Sequence, residues 1–258
     1  LGSPLRHDAY GIATTDASEH SPHPLDFTSL AGNVVIGHRL VKVTPTDNPQ
    51  PTSDEGKAVA FLGRIYDESK PGILAAADAV RNDAQEGLSE LLNEHDGSWA
   101  AVIAEEGSIN CARDSLGTIP LYYGQNSELV CVSTDTKTIL RLGIEPNRVQ
   151  PGHIVTLNAG GVSDEAITSF KAPAETTLSL EDAVDELDHL LTLSTSRSCG
   201  LNSPTVAFSG GIDSTLAAHY LKRCGVQPQL TCVGGGDSPD IAAAETAAEA
   251  LGLPLRVK

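Results

Sequence analysis

Apolar residues follow two patterns along this chain, and the change from one to the other divides it. Up to about Lys171 they come in short runs, "GNVVIGHRLVKV", "GKAVAFLGRIY", "SWAAVIAEEGSINCARDS", "ELVCVSTD" and "GHIVTLNAGG", rich in β-branched residues and bounded by Gly, Asn and Asp. Runs of this kind predict strands and hairpins. "GILAAADAVRNDAQEGLSELLNEH" interrupts them with apolar residues recurring at three and four, which predicts one helical segment. An α+β unit with antiparallel sheet follows.

The character changes around "SFKAPAETTLSLEDAVDELDHLLTLSTSR". Pro173 lies in a linker, Ser179 can cap a helix with Asp182 three residues on, and Leu180, Val184, Leu187, Leu190 and Leu191 form one apolar face. The expected units are therefore 1–174 and 175–258. From Thr205 onward the order is strand ("TVAFS"), helix ("STLAAHYLKRCG"), strand ("QLTCVGG"), helix ("DIAAAETAAEALG") and strand ("LPLRVK"). Alternation of strand and helix predicts parallel pairing and a doubly wound sheet. Ligands of such sheets bind beyond the carboxyl ends of the strands, where "SGGIDS" and "GGGDSPD" both fall.

The turn "FSGGIDST" carries the chemistry of the second unit. A polyphosphate requires inward-pointing N–H groups, no Cβ in the way and a helix start that favours negative charge. Gly210 and Gly211, with the Ser209 and Ser214 hydroxyls, supply those features in one turn. Asp213 would repel phosphate by itself, so its place there implies a Mg²⁺ ion between carboxylate and phosphate oxygens. No Lys follows the glycines, so this is not a Walker A loop.

Composition narrows the class of partner. The 34 acidic against 17 basic side chains give a net charge of −17, which argues against nucleic acid as a partner and is consistent with a salt-adapted (halophilic) source. The five cysteines, Cys111, Cys131, Cys199, Cys224 and Cys232, have no CxxC spacing, and the eight histidines show no metal-ligand spacing. No apolar run approaches the ~18 residues of a membrane span and no leader pattern is present, so the expectation is a cytoplasmic protein without a membrane partner.

The S-G-G-x-D-S pattern at Ser209 to Ser214 resembles the loop of ATP pyrophosphatases, which cleave ATP between the α and β phosphates. "VGGGDSPD" with its Ala-rich helix is similar to the second strand and loop of the glutamine-hydrolysing asparagine synthetase family. So are, in the same order, "GHRLVKVTPTDNPQP", "FLGRIYD", "DGSWAAVI" and "ARDSLGTIPLYYG". The resemblance implies a class II glutamine amidotransferase-like αββα sandwich, of Ntn-hydrolase type, followed by a doubly wound nucleotide-binding domain. ATP would be held by Phe208, Ser209, Gly210, Gly211, Asp213, Ser214, Val233 and Gly234, with Phe208 and Val233 lining the adenine and ribose pocket and Asp213 holding Mg²⁺. Arg39 would bind the glutamine carboxylate and Gly63 would serve the oxyanion hole. Aspartate, ATP and either glutamine or ammonia would be the small-molecule partners, with a homodimer possible.

This sequence departs from the family in several places. No Cys starts it, so the family's N-terminal nucleophile is not assigned. Leu62 replaces the family's Asn, and Leu has no donor for an oxyanion. The loop after "IYD", which in the family carries an acidic residue for the glutamine amine, is nearly absent. The family's second ATP loop would lie after residue 258. Either segments are missing from the sequence, or the glutaminase half has decayed as in β-lactam synthetases and lasso-peptide cyclases. A nucleotide-binding homologue without turnover is a third reading.

Overall fold

A computed structural model describes residues 8–13, 27–31, 34–39, 50–54, 56–66, 72–127, 129–172, 177–199, 204–235 and 238–258. The chain divides into Leu1–Ala172 and Pro173–Lys258. The first unit holds β1 (Asp8–Ala13), β2 (Phe27–Ala31), β3 (Val34–Arg39), β4 (Thr52–Asp54), β5 (Lys57–Ile65), α1 (Gly72–Ala79) and α2 (Ala84–Glu94). It continues with β6 (Gly97–Glu105), β7 (Ser108–Arg113), β8 (Tyr122–Gln125), β9 (Val130–Ser133), α3 (Thr136–Arg141), β10 (Asn147–Arg148), β11 (His153–Asn158) and β12 (Gly161–Ala166). Two six-stranded sheets form, in the orders β10-β8-β9-β1-β3-β2 and β12-β11-β7-β6-β5-β4, and their recorded pairs are antiparallel.

The central strands explain why "AVAFL" and "WAAVIA" read as unbroken apolar runs. Successive strand residues point to opposite faces. In β5 and β6 the residues Ala58, Ala60, Leu62, Ala100, Val102 and Ala104 meet Ile36 and Val132 of the other sheet. Their neighbours Val59, Phe61, Trp99, Ala101 and Ile103 pack instead on Ile73, Ala76, Leu88 and Leu91 of α1 and α2. Beyond the second sheet, Cys131 packs with Ile139 of α3 and with Ile144. The layers are thus helix, sheet, sheet, helix, as the αββα expectation required.

One expectation changes. The stretch predicted as one helix is two, α1 and α2, because Asp83 ends the first and starts the second. Its carboxylate accepts the Glu86 N–H at 2.8 Å, which is an N-cap that a continuous helix has no room for. Lys57 Nζ secures the corner by donating to the carbonyls of Val80, Arg81 and Asn82 at 3.0, 3.0 and 2.9 Å.

The second unit contains α4 (Leu180–Ser198), β13 (Thr205–Ala207), α5 (Ile212–Arg223), β14 (Gln229–Cys232), α6 (Pro239–Leu251) and β15 (Leu255–Val257). The strands are parallel, in the order β13-β14-β15, and no reversal of order occurs among them. Phe208, Leu230 and Cys232 pack on Ala218 of α5 and on Ala244 and Ala248 of α6. Ser179 caps α4, accepting the Asp182 N–H at 3.1 Å and donating to its carboxylate at 2.7 Å. The apolar face of α4 is uncovered: Leu180 is 83% exposed, and Val184, Leu187 and Leu190 are also exposed.

Asp188 ties α4 to α5. Its carboxylate accepts from Arg223 Nη1 at 2.6 Å and from the Tyr220 hydroxyl at 3.0 Å, and these bonds, Arg223's first, hold it below the usual carboxylate range. A carboxyl depressed in the folded state contributes stability that is complete above its unfolded value, about 3.9, and is lost as pH falls through the lower folded value. Both side chains of the ion pair are solvent-exposed, so the contribution is modest. In urea titrations the stability gap between the parent and Asp188→Asn should be open at pH 7 and close in strong acid. A gap that stays constant through the acid range would show that the ionised carboxylate is not the tie.

Candidate functional site

The turn at Ser209–Ser214 leaves the carboxyl end of β13 and starts α5. Gly210 has φ +74°, a left-handed conformation, and a Cβ there would lie 2.4 Å from Ala243 C and 2.5 Å from Ala244 N. Contact with the main chain of α6 is therefore what demands this glycine. Gly211 is different, since its Cβ would meet only Ser209 Oγ, at 3.3 Å, and that face of the turn is open.

The hydroxyls are held within the turn. Gly211 N–H donates to Ser209 Oγ at 3.3 Å, Ser214 Oγ donates to the Gly211 carbonyl at 3.1 Å, and the two hydroxyls stand 3.4 Å apart. No side chain caps α5, whose N-cap is Gly211, and Asp213 is exposed in its first turn. Uncapped N–H groups at a helix start favour an anion. The start of α6 is likewise without a side-chain cap bond at Ser238, and Pro239 opens its first turn. Thr215 Oγ1 is buried with no hydrogen-bond partner among the described residues.

The remaining nucleotide residues are placed less uniformly. Val233, at the end of β14, is 68% exposed, while Phe208 is 2% exposed, with its side chain in the core and its N–H on the Thr231 carbonyl at 2.8 Å. Gly234 N–H is taken by the Lys258 carbonyl at 3.2 Å. Ser209, Gly211, Asp213, Ser214 and Val233 are thus presented at the strand ends, whereas the Phe208 side chain lies beneath them.

In the first unit, Gly63 lies near the end of β5 with φ +93°, so close to β6 that a Cβ would fall 1.9 Å from the Ser98 carbonyl oxygen. Leu62, at the position of the family's Asn, is 3% exposed and points into the core between the sheets. Arg39 pairs with Asp8 across β3 and β1, and its side chain lies outside the described residues. The shortened loop after Tyr66 lies outside them too. Neither buried thiol in this unit suits nucleophilic attack: burial pushes Cys131 up to about 12 and, with the Asp164 charge second, raises Cys111 as well.

A polar cluster beside Gly63 escaped the reading of the sequence. The carboxylate of Asp114, which is 3% exposed, accepts N–H bonds from Trp99 at 3.1 Å, Leu116 at 2.9 Å and Thr118 at 3.1 Å. It also accepts the Thr118 hydroxyl at 2.6 Å, and Thr118 Oγ1 lies 2.6 Å from Ser98 Oγ. Arg113, fully buried, donates through Nη1 to the Gly117 and Ile119 carbonyls, both at 3.2 Å. The motif "ARDSLGT" signals this cluster, because a buried Arg-Asp pair before a Gly-containing turn must find its partners in the turn itself.

Among the described residues there is no group of three or more His, Cys, Asp or Glu side chains fit to hold a metal, and no helix is long and apolar enough to cross a membrane.

Residues 73–141 match the family described as glutamine amidotransferase domain. The chain is 28% identical over 255 residues to asparagine synthetase [glutamine-hydrolyzing] 2 of Oryza sativa subsp. japonica, covering 83% of this chain and 40% of that protein. It is 28% identical over 256 residues to asparagine synthetase [glutamine-hydrolyzing] of Sandersonia aurantiaca, covering 86% and 47% respectively. The chain therefore spans less than half the length of these relatives. Among solved structures, the glutamine phosphoribosylpyrophosphate amidotransferase of B. subtilis aligns with a TM-score of 0.49 and 17% identity, over 97% of this chain and 59% of that one. A glutamine aminotransferase class-II domain protein of Silicibacter pomeroyi aligns at 0.39 and 13%, over 66% of this chain and 99% of that one. The sequence matches support a glutamine amidotransferase domain in the first unit, and with it an enzyme.

Proposed function

We propose that this protein is an ATP-dependent, AMP-forming amide synthetase of asparagine synthetase type. The side-chain carboxylate of aspartate attacks the α-phosphorus of ATP and releases pyrophosphate; ammonia then attacks the acyl carbon, and AMP leaves with the former carboxylate oxygen. The observation that carries this reading is the turn at the end of β13, with an open Gly211 face, two pinned hydroxyls and an uncapped start of α5. Those groups fit a polyphosphate. Asp213 fits Mg²⁺, which would bridge phosphate oxygens and neutralise their charge.

Ammonia comes from glutamine in the first unit or directly from solution. Leu62 favours solution, because an alkyl side chain in the inter-sheet core gives an oxyanion no donor. A related synthetase with a silent glutaminase half is the second reading.

The full-length protein supplied with aspartate, ATP, Mg²⁺ and either glutamine or ammonium decides between them. Asparagine formed with ammonium but not with glutamine establishes the silent first unit, and pyrophosphate released without asparagine rejects aspartate as substrate. Asp213→Ala should lower pyrophosphate release roughly 100-fold. Unchanged release would remove Asp213 from the metal site, and product formation in neither protein, with nucleotide still bound by the parent, would leave a binding protein without turnover.

A further inference from the structure

We infer that Ser98 is a specificity residue of the first unit, its hydroxyl accepting a hydrogen bond from the α-ammonium group of an amino-acid ligand; the inference rests on the reading that this unit binds glutamine.

The argument is one of proton direction. Asp114 is ringed by three N–H donors and so is an acceptor only. The single proton of the Thr118 hydroxyl, 2.6 Å from Asp114 Oδ2, is spent on that carboxylate. Two hydroxyls 2.6 Å apart need one proton between them, and Thr118 has none left, so Ser98 donates to Thr118. Ser98 then has only lone pairs to offer to any further group. The chain of bonds ends on an anion, which polarises it so that its outer end favours a cationic donor and disfavours a carboxylate.

The position suits a ligand at Gly63. Ser98 is half-buried and continues the face of β6 that carries Ala100 and Val102 toward the other sheet. Its own carbonyl is the atom against which the Gly63 main chain rests. Arg64 stands opposite Ser98 in the ladder, so the same strand ends carry a cation suited to the carboxylate of a zwitterion. In the family this sequence resembles, the amine is met by an acidic residue in the loop after "IYD"; Ser98, backed by Asp114, gives this chain an acceptor on the rigid sheet instead.

Calorimetric titration of the full-length protein with L-glutamine and with 4-carbamoylbutanoate, the same molecule without its α-amine, tests this. Ser98→Ala should weaken L-glutamine about 10-fold or more and change the amine-free analogue less than about 2-fold. Thr118→Val should reproduce that selective loss, because Ser98 regains a free proton, and Thr118→Ser should restore the parent's affinity. Equal losses on both ligands would mark general damage to the pocket and overturn the inference. Unchanged glutamine binding by Ser98→Ala, in a parent that binds glutamine, would overturn it while leaving the glutamine reading intact. A parent that binds neither ligand would remove that reading, and the inference with it.

Discussion

Substituting alanine at Gly210 should destabilise the second unit by about 3 kcal/mol or more and abolish nucleotide binding with it. Two effects add. The residue sits at φ +74°, which an L side chain adopts only with strain, and its new methyl group would lie 2.4 Å from a main-chain carbon of Ala243. A flexible side chain could swing away, but Ala243 and Ala244 lie inside α6, so the whole helix must retreat and uncover Ala244 and Ala248. Gly211→Ala is the control, since Gly211 has φ −71° and its Cβ would have only Ser209 Oγ nearby. That variant should unfold within about 0.5 kcal/mol of the parent yet bind nucleotide more weakly. Urea unfolding followed by ATP titration separates the two, and a Gly210→Ala protein as stable as its parent would refute the contact with α6.

The second large effect is expected at Asp114. Asp114→Ala removes one carboxylate but strands the N–H groups of Trp99, Leu116 and Thr118 in a site that is 3% exposed. Leaving several buried donors unpaired should cost the first unit about 4 kcal/mol. Asp114→Asn keeps the size and one acceptor oxygen while adding N–H donors where donors already converge, so it should recover less than half of that loss. Denaturant unfolding of both variants checks the order. If the asparagine variant matched the parent, the carboxylate would be filling space rather than collecting protons.

The layers of the first unit could be read in the sequence because burial on both faces leaves a direct trace, the unbroken apolar runs of β5 and β6. The order β13, α5, β14, α6, β15 was equally plain, since strand and helix periods alternate there. The break at Asp83 was hidden, because the apolar period continues across it and only the cap bond to Glu86 separates α1 from α2. At the candidate nucleotide site the glycine pair stood out, but its division of labour did not. Which glycine faces α6 and which faces outward depends on a helix thirty residues further along. The Ser98, Thr118 and Asp114 cluster was unreadable for the same reason, as it joins a strand start to a turn through hydroxyls that carry no period.

Between the two sheets of the first unit, much of the contact is made by Ala58, Ala60, Ala100 and Ala104, each fully buried. Methyl groups therefore set how near the layers lie, and every one of them is matched to a neighbour across the gap. A single enlargement at any of these positions would be felt as a wedge by the whole sandwich. Drift along this seam is thus confined to paired exchanges, one side growing only where the other has already shrunk.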